Sequence, residues 1–177
     1  MQHYPEENPG RSSQTPGFDD AAPGRVGTDQ FLTLMLGDQE YGLPILDVQE
    51  IRAFSRLTPL PNAPSFVRGV INLRGLIVPV IDLRARFGLD VVDYTRFTVF
   101  VLVRLGTKTS GLAVDAVADV VDIPRHAVQS AADIGSAADP TLIRGIARLG
   151  ERVIVLVRLD ALAADGASAV ARSAQSI

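Results

Sequence analysis

The sequence contains no cysteine, no tryptophan and only two histidines. The absence of cysteine excludes a disulfide scaffold, a thiolate nucleophile, a cysteine zinc site and cysteine-held iron–sulfur clusters. At most one of the two histidines, His3 and His126, falls in the part of the chain that can fold, so one chain cannot build a two-histidine metal site. The net charge of −3 gives no electrostatic footprint for nucleic acid or for anionic lipid. We therefore predict no metal and no nucleic-acid partner.

Long hydrophobic runs and the motifs of catalysis are also missing. No apolar run approaches the ~20 residues that a membrane helix needs, and the N-terminus has no basic start followed by an apolar stretch. These absences predict a cytoplasmic protein with no direct membrane insertion. The sequence has neither a glycine-rich phosphate loop nor a GxSxG turn, and His126 is the one imidazole available as a base. We expect no catalytic residues and no cofactor, so the protein is predicted not to be an enzyme.

Composition divides the chain into a body and two tails. Residues 1–27 carry four prolines and four glycines among mostly polar neighbours, which is too little apolar surface to offset the entropy of ordering. This N-terminal tail is predicted to be disordered. Residues 164–177 are rich in alanine and serine and fit a second tail or a frayed helix. A hydrophobic content of 47% over 177 residues is enough to build a core in residues 28–163.

Short β-branched runs, bounded by glycine, aspartate, asparagine or proline, dominate the body and are typical of strands. They include residues 31–36, 76–81, 97–105 and 153–159. A few residues separate these runs more often than a helical stretch does, which favours an antiparallel all-β architecture. One helical turn is predicted after Asp82, whose side chain can cap it, and another after Pro124.

The body also contains an internal duplication. Residues 31–51 align without gaps on residues 100–120, and residues 64–83 align without gaps on residues 140–159. Each repeat is predicted to form about one small barrel, over residues 31–95 and 97–163, because closing a short sheet on itself hides its edges.

Positions at which the two repeats differ carry more functional information than the positions that they share. Arg74 lies at a predicted hairpin tip where the second repeat has Gly150, and Glu50 is matched by Asp119. A solvated pair that forms a weak ion pair, worth about 0 to 1 kcal/mol, explains Arg74 and Glu50 as well as a binding role does.

Three strings resemble the CheW family of chemotaxis coupling proteins: EYGLPILDVQEI at 40–51, TPLPNAPSFVRGVINLRGLIVPVIDLRARFG at 58–88 and GLAVDAVADVVDI at 111–123. The resemblance covers roughly residues 30 to 163. It implies an all-β fold of two intertwined five-stranded SH3-like β-barrels with one or two short helices, in agreement with the duplication.

The same resemblance implies an adaptor without catalysis. Members of the family link the cytoplasmic hairpin tip of methyl-accepting chemoreceptors to the regulatory domain of the histidine kinase CheA, in arrays at the membrane. The resemblance assigns receptor binding to Val48, Glu50, Gly69, Arg74, Val99 and Phe100. It assigns kinase binding to Val117, Gln129, Asp133 and Ile134, although a core position explains Val117 equally well because its repeat partner is Val48.

Two alternatives stay open at the level of sequence. Within the same family, the chain fits an adaptor of a chemosensory pathway that controls surface motility, pili or a second messenger. From a different class, a double barrel that binds a small ligand also fits, although the missing bases and metal ligands disfavour it.

Overall fold

A computed structural model describes residues 27–135 and 139–162, together with residues 164, 168 and 171. Most of both predicted tails lies outside these described residues. The strands are β1 (Thr28–Leu36), β2 (Gln39–Pro44), β3 (Val48–Ala53), β4 (Val67–Leu73), β5 (Leu76–Asp82), β6 (Val99–Leu105), β7 (Lys108–Val114), β8 (Ala116–Pro124), β9 (Val128–Ser130), β10 (Ile143–Leu149) and β11 (Arg152–Val157). Two short helices, α1 (Leu83–Arg86) and α2 (Ala131–Ile134), and two 3-10 turns, Ile45–Asp47 and Arg125–Ala127, connect them. The predicted all-β class is confirmed.

The strands form two sheets that exchange hairpins. The six-stranded sheet has the order β8-β1-β2-β11-β10-β9, and the five-stranded sheet has the order β3-β6-β7-β5-β4. The first hairpin of each repeat, β1–β2 or β6–β7, is therefore paired with the later strands of the other repeat. Parallel pairing of β2 with β11 and of β5 with β7 makes the exchange. The boundaries 31–95 and 97–163 consequently separate sequence repeats and not sheets, because neither range contains all the strands of one sheet.

Backbone pairing confirms that the two repeats are structurally equivalent. In the five-stranded sheet Arg52 pairs with Phe100, and in the six-stranded sheet the corresponding residues Val121 and Phe31 pair in the same way. Both sheets also carry a register shift at the same place, one next to Gly69 and one next to its repeat partner Gly145. Each repeat thus folds its bulge and its edge strand alike.

The main hydrophobic core is built from residues of both sheets. It contains buried residues from both repeats, such as Leu34 and Leu43 from β1 and β2 and Val101 and Leu112 from β6 and β7. A smaller cluster around Phe100 belongs to the five-stranded sheet, and another around Phe31 belongs to the six-stranded sheet. Burial of these large side chains is the main favourable term of folding.

The two helix predictions have different outcomes. Asp82 accepts a hydrogen bond from the Ala85 amide at 3.3 Å and caps α1, as predicted. A helical turn does follow Pro124, the 3-10 turn Arg125–Ala127, but the prediction that it continues through residues 125–134 is wrong, because Val128–Ser130 forms β9 and pairs with β10. The helix begins only after Ser130, whose hydroxyl accepts from the Asp133 amide at 3.3 Å.

Candidate functional site

Glu50 and Arg74 meet on the surface of the five-stranded sheet. Glu50 lies on β3, and Arg74 lies at the tip of the β4–β5 hairpin. An Nη2 atom of Arg74 is 3.1 Å from Oε2 of Glu50, and Nε of Arg52 is 3.7 Å from Oε1 of Glu50. One carboxylate therefore serves two guanidinium groups, and 76% of the Arg74 side chain is still open to solvent. We call Glu50, Arg52 and Arg74 the charged edge.

The hairpin that carries Arg74 has a two-residue loop. Leu73 pairs with Leu76 across it, and both loop residues have positive φ, 50° at Arg74 and 88° at Gly75. A two-residue turn with positive φ at both positions has the twist that suits a tight hairpin, and glycine or asparagine usually occupies these positions. The Asn72 side chain accepts a hydrogen bond from the Gly75 amide at 2.8 Å and supports the turn. Arg74 thus has the left-handed backbone conformation that glycine adopts at the matching position of the second repeat, Gly150, where φ is 59°.

Large exposed apolar side chains adjoin the charged edge in sequence. Ile51 is 47% exposed beside Glu50, and Leu76 and Ile77 are 65% and 60% exposed just after Arg74. None of these three residues was among the predicted receptor-binding positions. The signal was available in the hairpin itself, since the first residues of a strand that follows a surface turn are the ones least covered by the sheet below.

Four residues predicted for receptor binding serve the fold as well as, or instead of, the surface. Val48 and Val99 are half-buried and pack against the main core. A Cβ on Gly69 would lie 2.4 Å from the Thr58 carbonyl oxygen, and φ at Gly69 is 149°, so the bulge itself requires glycine. Phe100 is 0% exposed inside the five-stranded sheet, where its ring contacts Phe54. The prediction that Phe100 lines a receptor surface is corrected, because its ring is buried in the smaller hydrophobic cluster and also contacts the ring of Tyr94.

Residues predicted for kinase binding lie on the six-stranded sheet. Gln129 on β9 and Asp133 in α2 are exposed, and Ile134 is half-buried beside them. Asp133 accepts a hydrogen bond from the Ser130 hydroxyl at 2.6 Å. These three residues lie within one short segment of the chain, over β9 and α2, which we call the β9–α2 surface.

Val117 does not belong to that surface. It is half-buried on β8 and packs against the main core, in line with its repeat partner Val48. Val120, on the same strand, is 51% exposed, and Leu46, in the first 3-10 turn, is 90% exposed.

Among the described residues, no group of three or more histidine, aspartate or glutamate side chains could hold a metal ion. None of the described helices is long and apolar enough to cross a membrane. Burial raises the pKa of Tyr94, and its hydroxyl donates to Asp82 at 2.9 Å. This tyrosine is therefore held in its neutral form as a hydrogen-bond donor.

Comparison with known proteins identifies the family to which this chain is similar. Residues 30–167 match the family model of the CheW-like domain. The chemotaxis protein CheW of Klebsiella aerogenes is 38% identical over 139 residues, which cover 78% of this chain and 84% of that protein. Protein FrzA of Myxococcus xanthus is 35% identical over 102 residues, which cover 54% of this chain and 59% of FrzA. A crystal structure of the scaffolding protein TtCheW from Thermoanaerobacter tengcongensis is similar with a TM-score of 0.70 and 31% identity, and covers 75% of this chain and 90% of that one.

Proposed function

The chain belongs to the CheW family and is a non-catalytic chemotaxis coupling adaptor, and from this premise we propose that its charged edge binds the cytoplasmic hairpin tip of a methyl-accepting chemoreceptor. The observation that carries the proposal is the pairing of Glu50 with the strained, exposed Arg74 beside apolar side chains. Receptor tips are helical, and an amphipathic helix needs both an apolar strip and charges that fix its orientation.

The apolar part of the surface supplies affinity in this proposal. Leu76 and Ile77, which follow Arg74 in the hairpin, offer exposed apolar area that a helix can cover, and area removed from water contributes about 25 cal/mol per Å². Glu50 and Arg74 remain at the rim, where charged residues fix register and speed association more than they add affinity. Gly69, Val48 and Val99 hold the strands that carry this surface, and Phe100 acts only from the core.

The β9–α2 surface is proposed to bind the regulatory domain of the kinase CheA. Gln129 and Asp133 supply polar contacts there, and Ile134 supplies an apolar anchor. This surface lies on the six-stranded sheet, whereas the charged edge lies on the five-stranded sheet, so both partners can bind at once. Two interfaces of about micromolar strength, or about −8 kcal/mol each, suffice when an array of partners adds avidity.

Co-sedimentation with membranes that carry a chemoreceptor tests the receptor proposal. We expect Glu50→Lys and Arg74→Glu each to abolish co-sedimentation and receptor-controlled CheA autophosphorylation, because each leaves two like charges facing one another. The melting temperature of Arg74→Glu should change by only a few degrees, since the side chain is exposed at a turn.

Arg104→Glu is the matched control. Arg104 lies on β6 of the same sheet, is exposed, and its side chain forms no ion pair among the described residues. It should bind receptor membranes as the wild type does. Equal loss of binding in Arg104→Glu, or full binding in Arg74→Glu, would contradict the assignment of the charged edge.

A second candidate function follows from the similarity to Protein FrzA. The same two surfaces then serve a chemosensory pathway that controls surface motility, pili or a second messenger. Co-sedimentation with each receptor class of the same genome, in the presence of each cognate kinase, separates the two candidates by which pair retains the protein.

A further inference from the structure

A small open pocket on the five-stranded sheet combines arginines with apolar walls. It has a volume of about 320 Å³ and is lined by Phe54, Arg56, Leu57, Arg68 and Tyr94. Phe54 is 39% exposed, which is high for so large an apolar side chain, and the Arg68 guanidinium lies 5.6 Å from the centre of the Tyr94 ring. None of these residues belongs to the charged edge or to the β9–α2 surface.

The six-stranded sheet contains a related pair of arginines that already binds a carboxylate of the same chain. Arg125 and Arg144 both contact the carboxylate of Asp29, at 2.9 Å and 3.5 Å. The Arg144 guanidinium lies 5.9 Å from the centre of the Phe31 ring. The six-stranded sheet therefore shows how this fold holds one carboxylate between two guanidinium groups beside an aromatic ring.

The internal repeat relates the two places residue by residue. Arg68 corresponds to Arg144, and both directly precede the glycine of a bulge. Arg56 follows Phe54 by two residues, as Arg125 follows Ile123. The Phe54 amide donates to the Thr98 carbonyl oxygen at 3.1 Å, and the corresponding residue Ile123 is the backbone partner of Asp29. Thr98 therefore takes, in the five-stranded sheet, the position that Asp29 has in the six-stranded sheet.

The threonine leaves the two arginines of the pocket without the shared carboxylate. The Arg56 side chain has no hydrogen bond or ion pair within the described residues. Arg68 is 4.0 Å from Oδ2 of Asp82, the outer limit of an ion pair, and that same oxygen accepts the Tyr94 hydroxyl at 2.9 Å. Asp82 is almost fully buried and caps α1, so it is committed to the fold. The pocket has two cations and an incomplete set of anionic partners.

We propose that this pocket binds an aspartate or glutamate side chain of a partner protein, with an adjacent apolar or aromatic side chain seated on Phe54 and Leu57. The carboxylate takes the place that Asp29 occupies in the other sheet, and arginine is suited to it because the guanidinium group matches a carboxylate with two parallel hydrogen bonds. A protein segment is the expected source, since the built-in example is itself a peptide residue. The volume, at the lower end of ligand pockets, accommodates one or two side chains.

Amide NMR titrations of the full chain with a blocked peptide, acetyl-Ala-Phe-Asp-Ala-amide, test the proposal. We expect saturable shifts at Phe54, Leu57 and Tyr94 with a dissociation constant in the millimolar range, as suits one anchored carboxylate. The matched peptide with asparagine in place of aspartate should bind at least fivefold more weakly. Arg56→Gln and Arg68→Gln should each weaken binding of the aspartate peptide at least fivefold, and Arg104→Gln should leave it unchanged.

Thr98→Asp provides the reciprocal test, because it puts into the five-stranded sheet a carboxylate at the position that Asp29 has in the six-stranded sheet. A variant that keeps a dispersed amide spectrum should lose peptide binding. Thr98 is buried, so if the variant does not fold, the arginine variants decide the matter. Equal binding of the asparagine peptide, or unchanged binding in both arginine variants, would overturn the proposal.

Phenylacetate is the third probe, and it separates the two sources of a carboxylate. Binding of phenylacetate as tight as that of the aspartate peptide would overturn the protein source in favour of a free aryl carboxylate. Because Arg56 and Arg68 lie outside the charged edge, this titration and the receptor co-sedimentation can fail independently.

Discussion

At the scale of single residues, Arg74 holds a left-handed backbone conformation that glycine adopts at lower cost. Such strain persists where a function requires the side chain. We expect Arg74→Gly to keep or raise the free energy of unfolding, by up to about 1 kcal/mol, and to abolish receptor co-sedimentation. Urea unfolding combined with the membrane assay measures both effects on one preparation.

Gly150→Arg is the mirror-image control for that prediction. Gly150 has a φ of 59° in the corresponding hairpin, with open space around it. The substitution should lower the free energy of unfolding by about 1 kcal/mol and leave receptor binding intact. If Arg74→Gly still retained the receptor membranes, the strain would have no connection with coupling.

The sequence allowed some of these residues to be predicted and not others. Arg74 stood out because the second repeat has Gly150 in its place, Glu50 stood out because the shorter Asp119 matches it, and their ion pair was among the interpretations weighed. Phe100 was misplaced because β6 is buried on both faces, with Phe100 in the smaller cluster and Val101 in the main core, so its continuous apolar run has no polar face to show direction. A one-dimensional pattern cannot show which side of such a strand is covered.

At the scale of elements, the bulges on β4 and β10 impose glycine by close approach. A Cβ on Gly69 would lie 2.4 Å from the Thr58 carbonyl oxygen, and one on Gly145 would lie 2.3 Å from that of Gln129. We expect Gly69→Ala and Gly145→Ala each to destabilise the protein by about 3 kcal/mol, a loss of roughly 9 °C in melting temperature. Thermal unfolding followed by circular dichroism measures the loss.

Gly106→Ala distinguishes steric clash from backbone strain in the same measurement. Gly106 has a φ of 64° but nothing within 4 Å of its added Cβ, so this substitution should cost only about 1 kcal/mol. Equal costs at all three glycines would mean that strain alone matters. Loss of receptor binding in Gly69→Ala then reflects damage to the fold, so Gly69 is a weaker functional residue than Arg74.

An ion network joins three strands of the six-stranded sheet. Arg152 on β11 contacts Glu40 on β2 and, at 2.9 Å, Asp119 on β8. The Arg152 guanidinium lowers the pKa of both carboxyl groups, and the Thr33 hydroxyl adds to the effect by donating to Asp119 at 2.6 Å. A lowered pKa in the folded state favours folding above the unfolded value of about 4, and this contribution is lost as the pH falls through the folded value.

The melting temperature should therefore stay nearly constant from pH 7 to about pH 5 and fall at more acidic pH. Arg152→Gln should lower it at pH 7 and make the fall below pH 5 smaller, because the two carboxyl groups no longer have a folded-state partner to lose. Scanning calorimetry of both proteins between pH 7 and pH 3 tests this. Parallel curves for the two proteins would show that the network does not control acid unfolding.

At the scale of the whole molecule, the duplication was visible in the sequence, but the residues alone did not show the exchange of hairpins. Two gapless alignments fix which segments are equivalent, and they are equally compatible with two separate barrels and with two intertwined ones. The difference lies in the parallel pairs β2–β11 and β5–β7, which join segments far apart in sequence. Nothing local encodes such pairs, whereas the turns and the α1 cap depend on neighbouring residues and were predicted.

The exchange has a consequence for folding. A fragment of residues 28–95 contains β3, β4 and β5 but lacks β6 and β7, which lie between β3 and β5 in the sheet. A fragment of residues 97–162 lacks β1 and β2, which lie between β8 and β11. Each fragment would leave strand edges unpaired and would break the main core, which draws residues from both repeats.

We expect each fragment alone to give the amide spectrum of an unfolded chain, and an equimolar mixture to regain the dispersed spectrum of the intact protein. Each fragment alone cannot bury enough apolar surface to offset the conformational entropy that it would lose on folding, whereas the pair restores both sheets and the shared core. A folded spectrum for either fragment alone would mean that one repeat is a self-sufficient barrel. Cooperative folding of both repeats, by contrast, places the charged edge and the β9–α2 surface on one folded unit, as the proposed coupling of receptor to kinase requires.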